Sequence, residues 1–249
     1  MLMACEKPLA SDEEEPADSP AELSVTVAQL EDTPFFSPTR SLPADGCTHL
    51  CFAVYDDSGT RVKQINQKID DAHFGSVTFQ LAEGTYQLVV VAHSSSKNPT
   101  MTNPAKIQFT NAAGFSDTFL YQQQVEVTGQ PISLSLTLNR IVSLCRFIIT
   151  DDYPPNVSKM RFYYTGGSGA FDAATGLGCV KSKQSLLFDI TSGQKQFDLY
   201  TFLHDEEGTI HLLVTAHDTS DNVICEHEYD IPMMRKTVSQ YTAPFFQSR

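Results

Sequence analysis

Between Ile132 and Ile149 the chain passes from one kind of strand to another, and no other stretch constrains the fold as much. Ile132, Leu134, Leu136 and Leu138 alternate with Ser133, Ser135, Thr137 and Asn139. A strict period of two gives a strand with one face in a core and the other in water. Asn139-Arg140 interrupts the pattern, and from Ile141 to Ile149 almost every position is apolar, Arg146 excepted. That composition suits a strand buried more nearly on both faces. The first strand therefore closes one β-unit and the second opens another, which divides the chain into a leading segment (1–22) and two domains (23–140 and 141–249). Domains of roughly 110 residues fall in the ordinary size range and bury a sufficient core without disulfides or metal.

The rest of the chain repeats this grammar. Helical spacing is scarce, whereas short alternating runs separated by Gly, Pro, Asn and Asp recur throughout, so the predicted class is all-β, built of antiparallel sandwiches. Strands are expected at Leu23–Leu30, at Leu50–Val54 before the turn Asp56-Asp57-Ser58-Gly59, and at Val62–Ile69. Val77–Leu81 and Thr85–His93 flank Ala82-Glu83-Gly84 and read as a hairpin. In the second half the runs fall at 160–164, 186–190, 197–203, 210–217 and 223–230. Gly166–Gly178 lacks the Lys-Ser/Thr of a phosphate-binding loop and reads as a flexible connection. Thr237 to Phe246 is apolar enough for a last strand, which Pro244 confines to an edge or an exit.

Charge and side-chain chemistry narrow the function by exclusion. The formal charge is −13, and seven acids lie between Glu6 and Glu22 against Lys7 alone. No basic stripe interleaved with aromatics exists, which argues against nucleic acid, and no polybasic patch suits a membrane surface. The six cysteines form no C-x-x-C pair, and setting Cys5 aside leaves an odd number, so buried thiols acting as small hydrophobes are expected. His211 and His217 share a strand face but stand about 20 Å apart. Cys225 and His227 share a face two residues apart, without a second pair to complete a metal site. No nucleophile, metalloprotease or P-loop motif is present, so neither an enzyme nor a cofactor is expected.

Met1-Leu2-Met3-Ala4-Cys5 resembles the bacterial lipobox, and the acidic, Pro-punctuated stretch after it has the composition of a solvated tether. With Leu50–Tyr55, Leu81–Ala92, Leu138-Asn-Arg-Ile-Val142, Phe171-Asp-Ala-Ala-Thr-Gly176 and Leu199–Leu203, the chain resembles the FimB-type fimbrial anchor family of Bacteroidetes. Where such anchors usually carry Arg-Asn before the last strand, this chain has Arg235-Lys236. The resemblance implies two tandem transthyretin-like sandwiches, lipid attachment at Cys5 to the outer membrane, and fimbrillin subunits as partners at the cell surface. It also implies strand exchange between subunits, with Thr237, Val238, Tyr241, Phe245 and Phe246 in the candidate donor strand. Fimbrillin precursors resembling the family are trimmed after an arginine, and Arg40 in its Pro-rich connection is the matching position. The competing expectation is a surface lipoprotein that binds glycans through exposed aromatics of Tyr163-Tyr164, Phe35-Phe36 or Phe245-Phe246. By parity, one of each pair belongs to the core.

Overall fold

The computed structural model describes residues 20–31, 35, 40–41, 47–191 and 193–247. All regular structure among them is β, without a helix. The first half supplies β1 (Ala21–Glu31), β2 (Arg40–Ser41), β3 (His49–Tyr55), β4 (Arg61–Lys68), β5 (Ser76–Leu81) and β6 (Gly84–His93). It continues with β7 (Thr100–Asn103), β8 (Lys106–Gln108), β9 (Thr118–Val127) and β10 (Ile132–Arg140).

One layer runs β4-β3-β6-β9, and the facing layer sets β10 beside β1, with β5 and β2 sharing the far edge of β1. The layers touch through Asn139↔Leu120 and Arg140↔Phe119, so they form a sandwich joined at one corner. Its core takes Leu23, Val25 and Val27 from β1, Leu50, Phe52 and Val54 from β3, Leu88 and Val90 from β6, and Leu136 and Leu138 from β10. A fully buried side chain of this size contributes about 1.5–3 kcal/mol over an exposed one. β1 and β10 are parallel, and a bulge between Val27 and Gln29 resets the alternation so that Leu30 turns inward again.

The hairpin expected at Ala82-Glu83-Gly84 does not form. β5 pairs with β1, while β6 pairs with β3 and β9 in the opposite layer. The reason lies in β6 itself: Val89, Val90, Val91 and Ala92 are all fully buried, so this strand must be central and covered on both faces. β5, exposed on alternate residues, occupies an edge position instead.

The second half forms β11 (Ser143–Ile149), β12 (Lys159–Thr165), β13 (Ala170–Phe171), β14 (Gln184–Asp189) and β15 (Gln196–Thr201). β16 (Glu207–His217), β17 (Val223–Met234) and β18 (Val238–Ala243) follow. A layer ordered β15-β11-β18 faces one ordered β14-β12-β16-β17, and Phe147, Phe162, Phe197, Leu199, Leu212, Val214 and Phe245 fill the space between.

A further core joins these two assemblies. Cys51, Ala53 and Tyr55 on the outer face of β3, with Val89 and Val91 of β6, pack against Met101, Ile107, Phe109, Ile141, Val142, Leu144, Phe171 and Phe202. β13 from the second half pairs with β8 from the first. Gly166–Gly178 is therefore not the flexible connection its glycines suggest: Ser168, Ala170 and Phe171 within it are fully buried. The glycines are needed for close approach, since a Cβ at Gly166 would stand 2.1 Å from the Thr209 carbonyl oxygen and one at Gly167 2.0 Å from Thr201 Oγ1.

Candidate subunit-joining edge

β18 closes the last sheet by pairing parallel with β11, Leu144 opposite Val238 and Ile149 opposite Ala243. The Leu144 N–H donates to the Thr237 carbonyl at 3.0 Å, and the Thr150 N–H to that of Ala243 at 3.1 Å. Odd-numbered residues thus face β11, and by alternation the N–H and C=O groups of Val238, Gln240 and Thr242 face away from it. In the opposite layer β17 pairs with β16 and, among the described residues, with no strand on its other side. Two open sheet edges consequently lie along one flank of the molecule. Between them are a hollow of about 400 Å³ bordered by His227, Tyr229, Tyr241 and Pro244 and another of about 790 Å³ bordered by Pro232, Met234, Thr237 and Ser239. Main-chain groups that no strand pairs among the described residues, beside such hollows, are what an added strand requires.

β18 is held firmly in its own molecule. Tyr241 stacks on Phe147 at 5.5 Å between ring centroids and meets Tyr229 at 5.0 Å. Phe245 is buried, and Phe246 packs on Tyr153 at 5.2 Å. Asp151 clasps the segment after the strand: its carboxylate accepts the N–H of Phe245 at 2.8 Å, of Phe246 at 2.6 Å and of Gln247 at 2.8 Å. Burial alone would raise the Asp151 pKa, but these backbone donors outweigh it and hold the carboxyl below its ordinary range. At the other end of β18, Arg235 donates to Glu206 at 2.8 Å and to the Thr175 carbonyl at 2.7 Å, and Lys236 takes the left-handed φ of 58°. Of the residues expected in a donor strand, then, Val238 and Tyr241 lie in β18, Thr237 directly precedes it, and Phe245 and Phe246 lie in the clasped segment.

The remaining residues singled out in the sequence are scattered. Cys5 falls outside the described residues. The backbone of Arg40 sits in β2, opposite Leu30 of β1. Cys225 Sγ and His227 Nε2 do come together, at 3.2 Å, and the His227 ring nitrogen also meets the Phe245 carbonyl at 3.0 Å. Among the described residues no group of three or more His, Cys, Asp or Glu side chains is placed to hold a metal ion. Five described cysteines are free thiols, three of them buried.

One residue that the periodicity did not single out is Arg140. It follows the last alternating residue of β10, yet it is only 2 % exposed. Its guanidinium donates to both carboxylate oxygens of Asp117, Nε to Oδ1 at 2.7 Å and Nη2 to Oδ2 at 2.5 Å. The rings of Phe35 and Phe119 lie 4.0 Å and 4.9 Å from the guanidinium carbon. Burial lowers the Arg140 pKa to about 10. The signal was present in the Asn139-Arg140 break, where a polar pair separates two apolar runs.

None of the curated proteins matches the sequence. Among solved structures, a protein from Bacteroides ovatus provisionally described as an adhesin is similar over 100 % of both chains at 13 % identity and a TM-score of 0.56. A second such B. ovatus protein is similar over 84 % of this chain and 76 % of its own at 10 % identity and a TM-score of 0.53. The fimbrial anchor protein Mfa2 from Porphyromonas gingivalis aligns over 84 % of this chain and 82 % of its own at 13 % identity and a TM-score of 0.48. At these identities the two B. ovatus likenesses speak for the fold alone. The family profile is more specific, matching residues 18–242 of the 249, and by it the protein belongs to the fimbrillin-A associated anchor proteins Mfa1 and Mfa2.

Proposed function

We propose that this chain is a cell-surface fimbrial subunit without enzymatic activity: an outer-membrane lipoprotein, acylated at Cys5, that anchors or starts a fimbria and engages fimbrillin neighbours by strand exchange. The observation that carries the joining step is the open flank of β17 and β18, where Val238, Gln240 and Thr242 turn main-chain groups outward beside two hollows. Because the Asp151 clasp secures the end of β18, the reading it supports is a neighbour's strand adding outside β18. A β18 that itself left for a neighbour would have to surrender its register with β11 and three hydrogen bonds to Asp151. In this scheme residues 23–140 and 141–249 are the two sandwich domains, and residues 1–22 tether them to the membrane. Two or more acyl chains hold stably, since each buried CH₂ contributes about 0.8 kcal/mol and one chain alone holds only marginally.

An anchor also keeps its first strand. Cleavage after Arg40 would leave β1, which supplies Leu23, Val25, Val27 and Leu30 to the core, attached without a covalent link. Mass spectrometry of the mature protein from its own cells checks this, because a chain starting at Ser41 excludes a permanent anchor. For the joining step, Thr242→Pro removes an N–H that faces away from β11, a substitution that edge strands tolerate. The purified variant is expected to keep its thermal stability while surface fimbriae are lost; normal fimbriae on cells carrying it would rule out strand addition at this edge. Cys5→Ala in the full-length precursor tests the anchor, and a variant still sedimenting with the outer membrane rules out the lipid.

A further inference from the structure

The outward face of the β14-β12-β16-β17 layer carries a trough that the joining flank does not use. Register sets Tyr163 of β12 opposite Ser185 of β14 and Leu213 of β16, with Thr165 opposite His211 one step along. Of the adjacent tyrosines, Tyr164 is fully buried in the core and Tyr163 is half-buried on this outer face. At one end, past Thr165, is a cleft of about 670 Å³ whose ionisable borders include Lys181, Lys183, His204 and His211 and no carboxylate. In a chain of net charge −13 this is an unusual concentration of basic groups. At the other end, past Tyr163 and Leu213, a hollow of about 260 Å³ is bordered by Arg161, Thr215 and Glu226. The two hollows are separated by a single step along the strands, about 7 Å.

The basic end is built rather than incidental. His204 is oriented by its Nδ1, 2.7 Å from the Gly178 carbonyl oxygen, and His211 by its Nδ1, 2.6 Å from Asp230 Oδ1. Since both partners are acceptors, Nδ1 carries the hydrogen and Nε2 of each neutral ring is left to accept from a ligand hydroxyl. The backbone that presents the lysines is pinned on both sides: Asn111 donates to the Lys183 carbonyl at 3.0 Å, and Ser182 Oγ accepts the Gly169 N–H at 2.8 Å. The two oriented rings and the fixed backbone lower what a ligand must order on binding.

We infer that this trough binds an acidic oligosaccharide, with uronate-type carboxylates against Lys181 and Lys183, sugar hydroxyls donating to Nε2 of His204 and His211, and a sugar ring lying on Tyr163 and Leu213. Charge complementarity selects the acid. A cleft of this size falls in the range of organic-ligand sites and would be left mostly empty by a bare inorganic anion. The half-buried Tyr163 ring, with the Arg161 guanidinium 5.9 Å from its centroid, supplies an apolar surface flanked by a donor, and Glu226 at the far end accepts from hydroxyls.

The test is calorimetry on the purified full chain with trigalacturonate, galactotriose and inorganic phosphate. Trigalacturonate should bind at least about tenfold more tightly than either control, a difference of about 1.4 kcal/mol. The Lys181→Ala/Lys183→Ala double variant, both positions being exposed, should fold normally and lose about tenfold or more. Tyr163→Ala should weaken the trisaccharide severalfold. The exposed Cys179 thiol borders the cleft, so bound trigalacturonate should slow its alkylation severalfold in a mass-spectrometric assay. Equal binding of galactotriose or phosphate, undiminished binding by the lysine variant, or unprotected Cys179 at saturation would each overturn the assignment. None of these outcomes bears on fimbrial assembly, which is read on cells.

Discussion

Arg140 and Asp117 make an asymmetric pair, and the asymmetry can be measured. The Arg140 side chain is 1 % exposed and that of Asp117 is 17 % exposed. Asp117→Ala strips a bidentate partner from a guanidinium enclosed by Phe35 and Phe119, and breaking a buried pair in this way costs about 3–5 kcal/mol. Arg140→Met removes the charge while keeping most of the apolar volume, and the partly exposed carboxylate it leaves can take up water, so about 1–2 kcal/mol is expected. The double variant should resemble Arg140→Met, giving a coupling energy above about 1.5 kcal/mol. For a chain of this length the Asp117→Ala cost corresponds to a fall in Tm of about 6–20 °C. Urea unfolding followed by circular dichroism reads all three variants against the parent. If Asp117→Ala costs no more than Arg140→Met, the charge is not effectively buried and the reasoning fails.

Other expectations follow from groups described above. His93 is fully buried, stacked on His49 at 5.0 Å, and burial, helped by the His49 charge, lowers its pKa from 6.5 to about 4. Since the unfolded chain takes up this proton first, stability should be full above pH ~6.5 and fall by about 3 kcal/mol as pH drops to ~4. His93→Phe should flatten that part of the pH profile in urea melts. Asp151, whose folded pKa lies below its ordinary value, contributes stability above pH ~4 that is lost as pH falls through the folded pKa. Asp151→Ala leaves three backbone donors without their acceptor, and hydrogen exchange at Phe245, Phe246 and Gln247 should rise at least about tenfold at neutral pH. Lys236→Asn should stabilise the turn before β18 by roughly 0.5–1 kcal/mol, because Asn tolerates the left-handed conformation better than Lys; an unchanged urea midpoint would contradict this.

How legible the fold was depended on what kind of neighbour each residue has. Strands with one wet face, such as Ile132–Asn139 and Met160–Tyr164, announced themselves by alternation; parity assigned one ring of Tyr163-Tyr164 to the core, and it is Tyr164 that is inside. Sheet partners were less visible, because a loop such as Ala82-Glu83-Gly84 is compatible with a hairpin or with a crossing between layers. Only the two-sided burial of β6 decides between them. The joining core was hidden for another reason. Met101, Ile107 and Phe171 stand on strands of two to four residues, too short for a period to emerge. The trough was hidden likewise, since Lys181, Lys183, His204 and His211 converge only once β12, β14 and β16 are side by side.

The stretch from Ile132 to Ile149 also determines how a pull on this protein would travel. β10 lies parallel to β1, and β11 lies parallel to β18. Under the proposed anchoring, force enters at the N-terminal end of β1 and leaves through the flank at β18. The most direct hydrogen-bonded route crosses the β1–β10 pair, follows the covalent step from β10 to β11, and crosses the β11–β18 pair. The parallel β1–β10 pair, pulled from the beginning of β1 and the end of β10, is loaded in shear, so its hydrogen bonds share the load instead of opening in turn. Both crossings are also backed by side chains: Leu136 and Leu138 of β10 stand in the first core, Leu144 of β11 in the joining core, and Cys145, Phe147 and Ile149 in the last. The near-continuous apolar run after Asn139-Arg140 is thus the composition of a strand that serves two cores at once, which a strand alternating with water-facing residues could not do.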